Sequence, residues 1–151
     1  MLNPHPPLAA FPAVLLTLIV AAEVASYAFW QQELRRIARV LLCVLAFFAP
    51  VTYLSGYWGV DHANGSFQIP ESAIAQHQGY AKLFLLTLVP LFIVVSLQSA
   101  VVDAEGAARK RRVIRGIYLG LLIVSLLCGF GTSYLGGALV FSHGAGVLVD
   151  K

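Results

Sequence analysis

The sequence predicts an all-α integral membrane protein, a bundle of four transmembrane helices with both termini on the non-cytoplasmic side. Three observations carry this expectation. Of 151 residues, 59% are hydrophobic and only 11% are charged, a composition foreign to water-soluble domains of this size. The apolar residues gather into four runs, each long enough to cross a hydrocarbon core of about 30 Å at a rise of about 1.5 Å per residue. Eight of the ten basic residues fall in two short connections, the asymmetry that orients membrane helices. Four spans of about 20 residues leave no room for a separate soluble domain, so 1–151 is expected to form a single unit.

The first span is expected over residues 8–30, with Pro12 in its first turn, where a missing N–H costs little. Its Ala-Glu-Val-Ala-Ser stretch resembles a signal-peptide cleavage site. The segment ahead of the run carries no Lys or Arg, however, prolines recur at Pro4, Pro6, Pro7 and Pro12, and Glu23 interrupts the apolar core. The run is therefore expected to remain as a span. The second span is expected over 38–57, the third over 80–102 and the fourth over 113–141. Pro50 and Pro90 fall inside spans and are expected to kink them, opening space between helices.

The first connection, 31–38, holds Arg35 and Arg36 with Arg39 at its edge, and the third, 103–112, holds Arg109, Lys110, Arg111 and Arg112. Both are expected to be cytoplasmic. The second connection, 58–79, has no Lys or Arg, nor does the N-terminal tail; these face outward, as does the C-terminus. Trp30 marks one boundary and Tyr53, Tyr57, Trp58 and Tyr80 cluster at the other, as amphipathic rings do at headgroup level. The net charge of +3 follows from these topogenic clusters and does not indicate nucleic acid.

Ser125, Gly129, Ser133 and Gly137 recur every four residues in the fourth helix. They place small side chains along one face, suited to close helix packing and, less commonly, to a flat ligand. Cys43 and Cys128 belong to no CxxC or CxxCH element, which excludes covalent c-type haem attachment and leaves them as small buried hydrophobes. No nucleophile with a plausible base, phosphate-cradling loop or carboxylate pair is present, so hydrolysis and group transfer are not expected. Gly144 and Gly146 read as a turn that stops the last helix.

The histidines are the informative residues. His5 precedes the first span, His62 follows the second, His77 precedes the third, and His143 follows or ends the fourth. All four therefore share the outer edge, one per helix end. Imidazole is neutral at membrane depth and ligates haem iron from facing helices; it is also comfortable at interfaces without any ligand. Copper(I) would call for Met and Cys, yet the only methionine is Met1. Zinc could draw on Asp61 or Glu71, but no compact ligand spacing supports it. Glu23, buried about 10 Å from the end of its span near Trp30, must be protonated, paired or hydrated. It could transfer protons, serve a quinone site, or bond structurally to Ser125 or another helix.

His5-Pro6 with Phe11-Pro12, an acidic residue in the first span, Gly56 and Asp61 closing the second, His77 opening the third, and the run from Gly136 to Val147 together form a pattern. It resembles that of the predicted bacterial membrane proteins catalogued as domain of unknown function 2231, whose C-terminal signature reads GGxLVYxHGxGV. The resemblance covers nearly the whole chain. It implies a four-helix module of the bacterial inner (plasma) membrane, joined to or encoded near Rieske or cytochrome domains in some relatives, and hence a redox role. By resemblance His5, His77 and His143 carry over as candidate ligands, and Glu23 matches the acidic position. Relatives often read HPxxVHFP, whereas Ala10 stands at the second histidine, so a four-ligand, two-haem scheme would have to use His62 or another group.

The expected function is membrane electron transfer by a protein or subunit binding b-type haem near the outer leaflet, passing electrons between the quinone pool or a partner subunit and an outer-side acceptor. His77 and His143 are the expected axial ligands, with His5 as substitute and His62 behind it. The alternative is a non-catalytic scaffold or accessory subunit of a larger complex, without its own cofactor. A small transporter would need a hydrated polar pathway, which Glu23 alone does not supply.

Overall fold

A computed structural model of the chain describes residues 5–66, 69–100 and 107–145. These residues form four helices: α1 (His5–Ala28), α2 (Gln32–Ser66), α3 (Glu71–Ala100) and α4 (Ala107–His143). Each contains a stretch long and apolar enough to cross a membrane. Helices α1 and α2 pack closely as one hairpin and α3 and α4 as another. The hairpins meet more loosely along α1/α4 and α2/α3, so among the described residues the helix backbones neighbour one another as a ring in chain order.

The helices overrun the expected spans, and the connections shrink accordingly. Pro6 and Pro7 fall in the first turn of α1, where their fixed φ favours the helix and their missing N–H groups have no intrahelical acceptor. Pro12 is therefore not in the first turn but well inside. Arg35, Arg36 and Arg39 belong to the start of α2, and Arg109, Lys110, Arg111 and Arg112 to that of α4. Arg, Lys, Gln, Glu and Leu are good helix formers, so the coil persists past the apolar stretch. Likewise α2 continues through Asp61 and His62, and α3 begins at Glu71 with the Pro70 carbonyl accepting from the amides of Ala73 and Ile74. Pro50 and Pro90 lie within continuous helices.

The α1/α2 connection is only residues 29–31, and Trp30 makes the reversal at φ 55°. The left-handed region is costly for a bulky residue. At the other extreme of the chain, Gly144 takes φ 67°. Its amide donates to the Val140 carbonyl and that of Ala145 to the Leu139 carbonyl, which caps α4.

The middle of the bundle is apolar: Leu16 and Ile19 of α1, Leu42 and Leu45 of α2, Leu88 and Leu91 of α3, and Leu122 of α4 are buried together. Large apolar side chains such as Phe47, Leu127 and Phe141 cover the outside, where lipid solvates them. Cys43 is among the outward residues and only Cys128 is partly buried, so the expectation of two buried cysteines fails at Cys43, which the helix turns toward lipid. Lipid-exposed apolar surface gives no drive for association, leaving packing and interhelical hydrogen bonds to hold the helices. Ser125 Oγ donates to Thr87 Oγ1 at 2.9 Å, and Thr87 Oγ1 to the Phe84 carbonyl at 2.7 Å, tying α4 to α3. Pro12 deprives the Leu8 carbonyl of its intrahelical donor, and Thr52 Oγ1 of α2 approaches that oxygen at 3.5 Å.

Candidate functional site

Where α1 and α3 begin and α2 and α4 end, the four helices enclose a cavity of about 560 Å³. Its existence follows from residue size. Ala9 and Ala13 on α1, Ala49 and Gly56 on α2, Ala81 on α3 and Gly136 and Gly137 on α4 all face it, and none carries a side chain large enough to close the gap between the hairpins. Phe84, almost fully buried, forms part of its floor with Gly129. A Cβ at Gly129 would come within 3.3 Å of Leu16 Cδ2 and 3.4 Å of Phe84 Cε2. The four-residue small face of α4 thus divides: Ser125 and Gly129 pack helices, whereas Ser133 and Gly137 face open space in the cavity.

His77 is the histidine on the cavity wall. Its Nδ1 lies 3.1 Å from the Thr132 carbonyl oxygen. A carbonyl only accepts, so Nδ1 carries the proton and, in the neutral ring, Nε2 carries the lone pair. The ring reaches α4 because Gly136, one turn after Thr132, has no side chain: a Cβ there would stand 3.0 Å from Cε1 and 3.4 Å from Nδ1 of His77. Gly136 and Thr132 are therefore positioning residues for the imidazole. Metal-bound histidines commonly hold their other N–H on a backbone carbonyl in this way.

The remaining histidines stand around the same end of the bundle. His143 is the last residue of α4, partly buried, and is not on the cavity wall, although Ala145 just after it is. His5 opens α1 one turn before the wall residue Ala9, and His62 lies in α2 three residues after the wall residue Gly59; the side chains of both lie outside the described residues, as does that of Asp61. Glu71 is exposed at the start of α3. Among the described residues no three His, Cys, Asp or Glu side chains gather as a protein-only metal site.

Over residues 2–148 the chain matches the family described as predicted membrane protein, DUF2231. The chain belongs to this family. No curated protein and no solved structure matches it.

In this DUF2231 protein Glu23 is indeed buried, but its partner is not Ser125. Tyr118 Oη of α4 donates to Glu23 Oε1 at 3.1 Å, while Ser125 is engaged with Thr87. The reason is depth: Ser125 lies seven residues beyond Tyr118, about 10 Å further along α4. Sequence reasoning also missed Tyr118, Thr132 and Gly136. The legible signal was the Thr132–Gly136 spacing of four, which puts a carbonyl and a bare Cα on one face of α4, opposite His77 of α3.

Proposed function

We propose that this DUF2231 member is a multi-pass protein of the bacterial plasma membrane that transfers electrons through a b-type haem, which the histidine-end cavity would hold through His77. The observation that carries the reading is the oriented imidazole on the wall of a largely apolar cavity. A volume of about 560 Å³ falls in the usual range for cofactor sites, roughly 300–1,000 Å³. A porphyrin brings four nitrogen ligands of its own, so one or two histidines suffice. A three-ligand protein cluster is not needed. His143 first, then His5 and His62, would supply a further ligand from the rim.

A bound haem supplies reversible one-electron chemistry. The chain's part is to fix the imidazole through Thr132 and Gly136, to exclude water with Phe84, Ala49 and Ala81, and to offer Tyr53, Gln78 and Ser133 as polar contacts on the wall. The arginine clusters orient the histidine end outward under the positive-inside rule. Electrons would then pass between the quinone pool or a partner subunit and an outer-side acceptor.

The test is the visible spectrum of protein purified from haem-sufficient cells, oxidised and then reduced. A Soret band and a reduced-minus-oxidised difference are expected, and both should vanish in His77→Ala. No Soret band in the wild type would end the haem reading; a band retained in His77→Ala would end the ligand assignment. A quinone extracted from the wild type in place of haem would identify the cavity as a quinone site.

A further inference from the structure

The opposite end of the bundle holds a second constellation, independent of the haem reading. Glu23 of α1, Arg35 and Arg39 of α2, Gln98 of α3, and Arg115 and Tyr118 of α4 surround a cleft of about 60 Å³. That is several times the roughly 10–15 Å³ that one water requires, enough for a compact group of a few heavy atoms. Its charge is unbalanced, with three guanidinium groups facing one carboxylate.

Glu23 accepts from Tyr118 on the same cleft wall, and the three cleft guanidinium groups form no ion pair with it among the described residues; Arg36 and Glu33 pair on the surface of α2. Arg35 Nε donates to Ser26 Oγ at 3.4 Å. Arg115 lies over the Tyr27 ring, its Cζ 4.1 Å from the centroid. Two donors are left over: Arg115 Nη2 and Gln98 Nε2 are buried and have no hydrogen-bond partner among the described residues. Leaving a buried donor unpaired is costly, more so when it is charged. Acceptor oxygens with negative charge would satisfy both donors and offset the excess of guanidinium.

A second feature points the same way. Arg109, Lys110, Arg111 and Arg112 occupy the start of α4, whose first turns hold no acidic residue. Cations at a helix N-terminus oppose its dipole, so the charges of this run do not stabilise the helix end. It adds to the positive potential at the end of the bundle where the cleft lies.

We infer that the cleft is an oxyanion site that takes a phosphate group, with Arg115 and Gln98 as its buried donors and Arg35 and Arg39 closing it from α2. Guanidinium forks match phosphate oxygens bidentately, and basic pockets between helices near a membrane surface suit anionic lipid headgroups. The same chemistry could be presented by a phospholipid or by free phosphate.

Native mass spectrometry of the full chain in neutral detergent distinguishes them, with phosphatidylglycerol, diacylglycerol and inorganic phosphate as probes. The wild type is expected to retain phosphatidylglycerol over diacylglycerol. Arg115→Gln should weaken retention by about tenfold or more, and Lys82→Gln, which removes an exposed charge from the other half of α3, should not. If Arg115→Gln does not fold, Arg39→Gln provides the comparison, with a smaller loss expected. Binding of inorganic phosphate alone, lost in the same variant, would support the site and name the free anion as its occupant. Absence of any preference for phosphatidylglycerol together with no phosphate binding would overturn the inference. So would equal losses in the arginine variant and in Lys82→Gln, since the attraction would then be general charge.

Discussion

Removing one oxygen atom tests the account of how the hairpins are joined. Tyr118→Phe deletes the hydroxyl that donates to Glu23 at 3.1 Å, in a pair whose residues are 3% and 7% exposed. Hydrogen bonds to charged groups contribute about 1.5–3 kcal/mol in water-soluble proteins. Inside membranes the average is nearer about 0.6 kcal/mol and the maximum about 1.7, because helices dispersed in lipid find other partners. The membrane range governs here, and burial of both residues places the pair at its upper end. We expect Tyr118→Phe to cost about 1–1.7 kcal/mol in reversible unfolding by SDS titration from mixed micelles. The phenyl ring still fills the same volume, so cavity terms are small. Glu23→Gln, whose amide oxygen still accepts, should cost less than Glu23→Leu. In the cycle with Tyr118→Phe and Glu23→Leu, a coupling of about 1 kcal/mol or more is expected. Coupling under about 0.5 kcal/mol, the scatter of independent sites, would refute the claim that this bond holds α1 to α4.

Three further predictions follow from local geometry. Gly120→Ala, where an added Cβ meets nothing within 4 Å, should stabilise by about 0.5–1 kcal/mol through helix propensity. Gly131→Ala would place its Cβ 2.6 Å from Tyr80 Cδ1, and overpacking of about 1–3 kcal/mol should reverse the sign; the two unfolding midpoints must move in opposite directions. Trp30→Gly keeps the φ of 55° accessible and should fold, whereas Trp30→Pro, locked near −65°, should destabilise strongly or fail to fold, read by recovery of monodisperse protein in detergent. Thr52→Val should lower stability measurably in the wild type but little in a Pro12→Ala background, where the residue-12 amide again serves the Leu8 carbonyl; equal effects in both backgrounds would separate Thr52 from that role.

The parts of the structure legible in the sequence are those set by composition along the chain. Four apolar runs give four helices, and two arginine clusters share one end, because hydropathy and helix period are local quantities. Helix ends were less legible: polar good helix formers extend α2 and α4 beyond the hydrocarbon stretch, so the arginines are helical and not loop residues, with Arg35, Arg39 and Arg115 lining the cleft and Arg36, Arg109, Arg111 and Arg112 exposed. The site was partly legible. One-sided histidines marked the end of the bundle that encloses the cavity, but the residue-level geometry depends on which faces meet. Nothing local tells that Gly136 opens a path from His77 to the Thr132 carbonyl, or that Tyr118 and not Ser125 lies at the depth of Glu23. Those facts come from the register of two helices against each other.

The same register separates the two polar ends. Gly129 on the cavity floor lies eleven residues beyond Tyr118 on α4, about 16 Å of helix, and the interior at that depth is filled by Leu16, Ile19, Leu45, Leu88, Leu91 and Leu122. The Ser125–Thr87 pair interrupts this layer, but its donors run inward to the Phe84 carbonyl and are consumed there. An ion or a hydrated proton would have to open this layer, and the place to open it is along the α1/α4 and α2/α3 seams, where the two hairpins touch least. The α1/α4 seam is tied by the Glu23–Tyr118 bond at the arginine end. At the histidine end small side chains leave the gap between the hairpins unfilled, and the cavity lies there. The bundle is therefore built to be tight where the charges are and open where the imidazole is, an asymmetry suited to holding a flat apolar group at one end without creating a path for ions to the other.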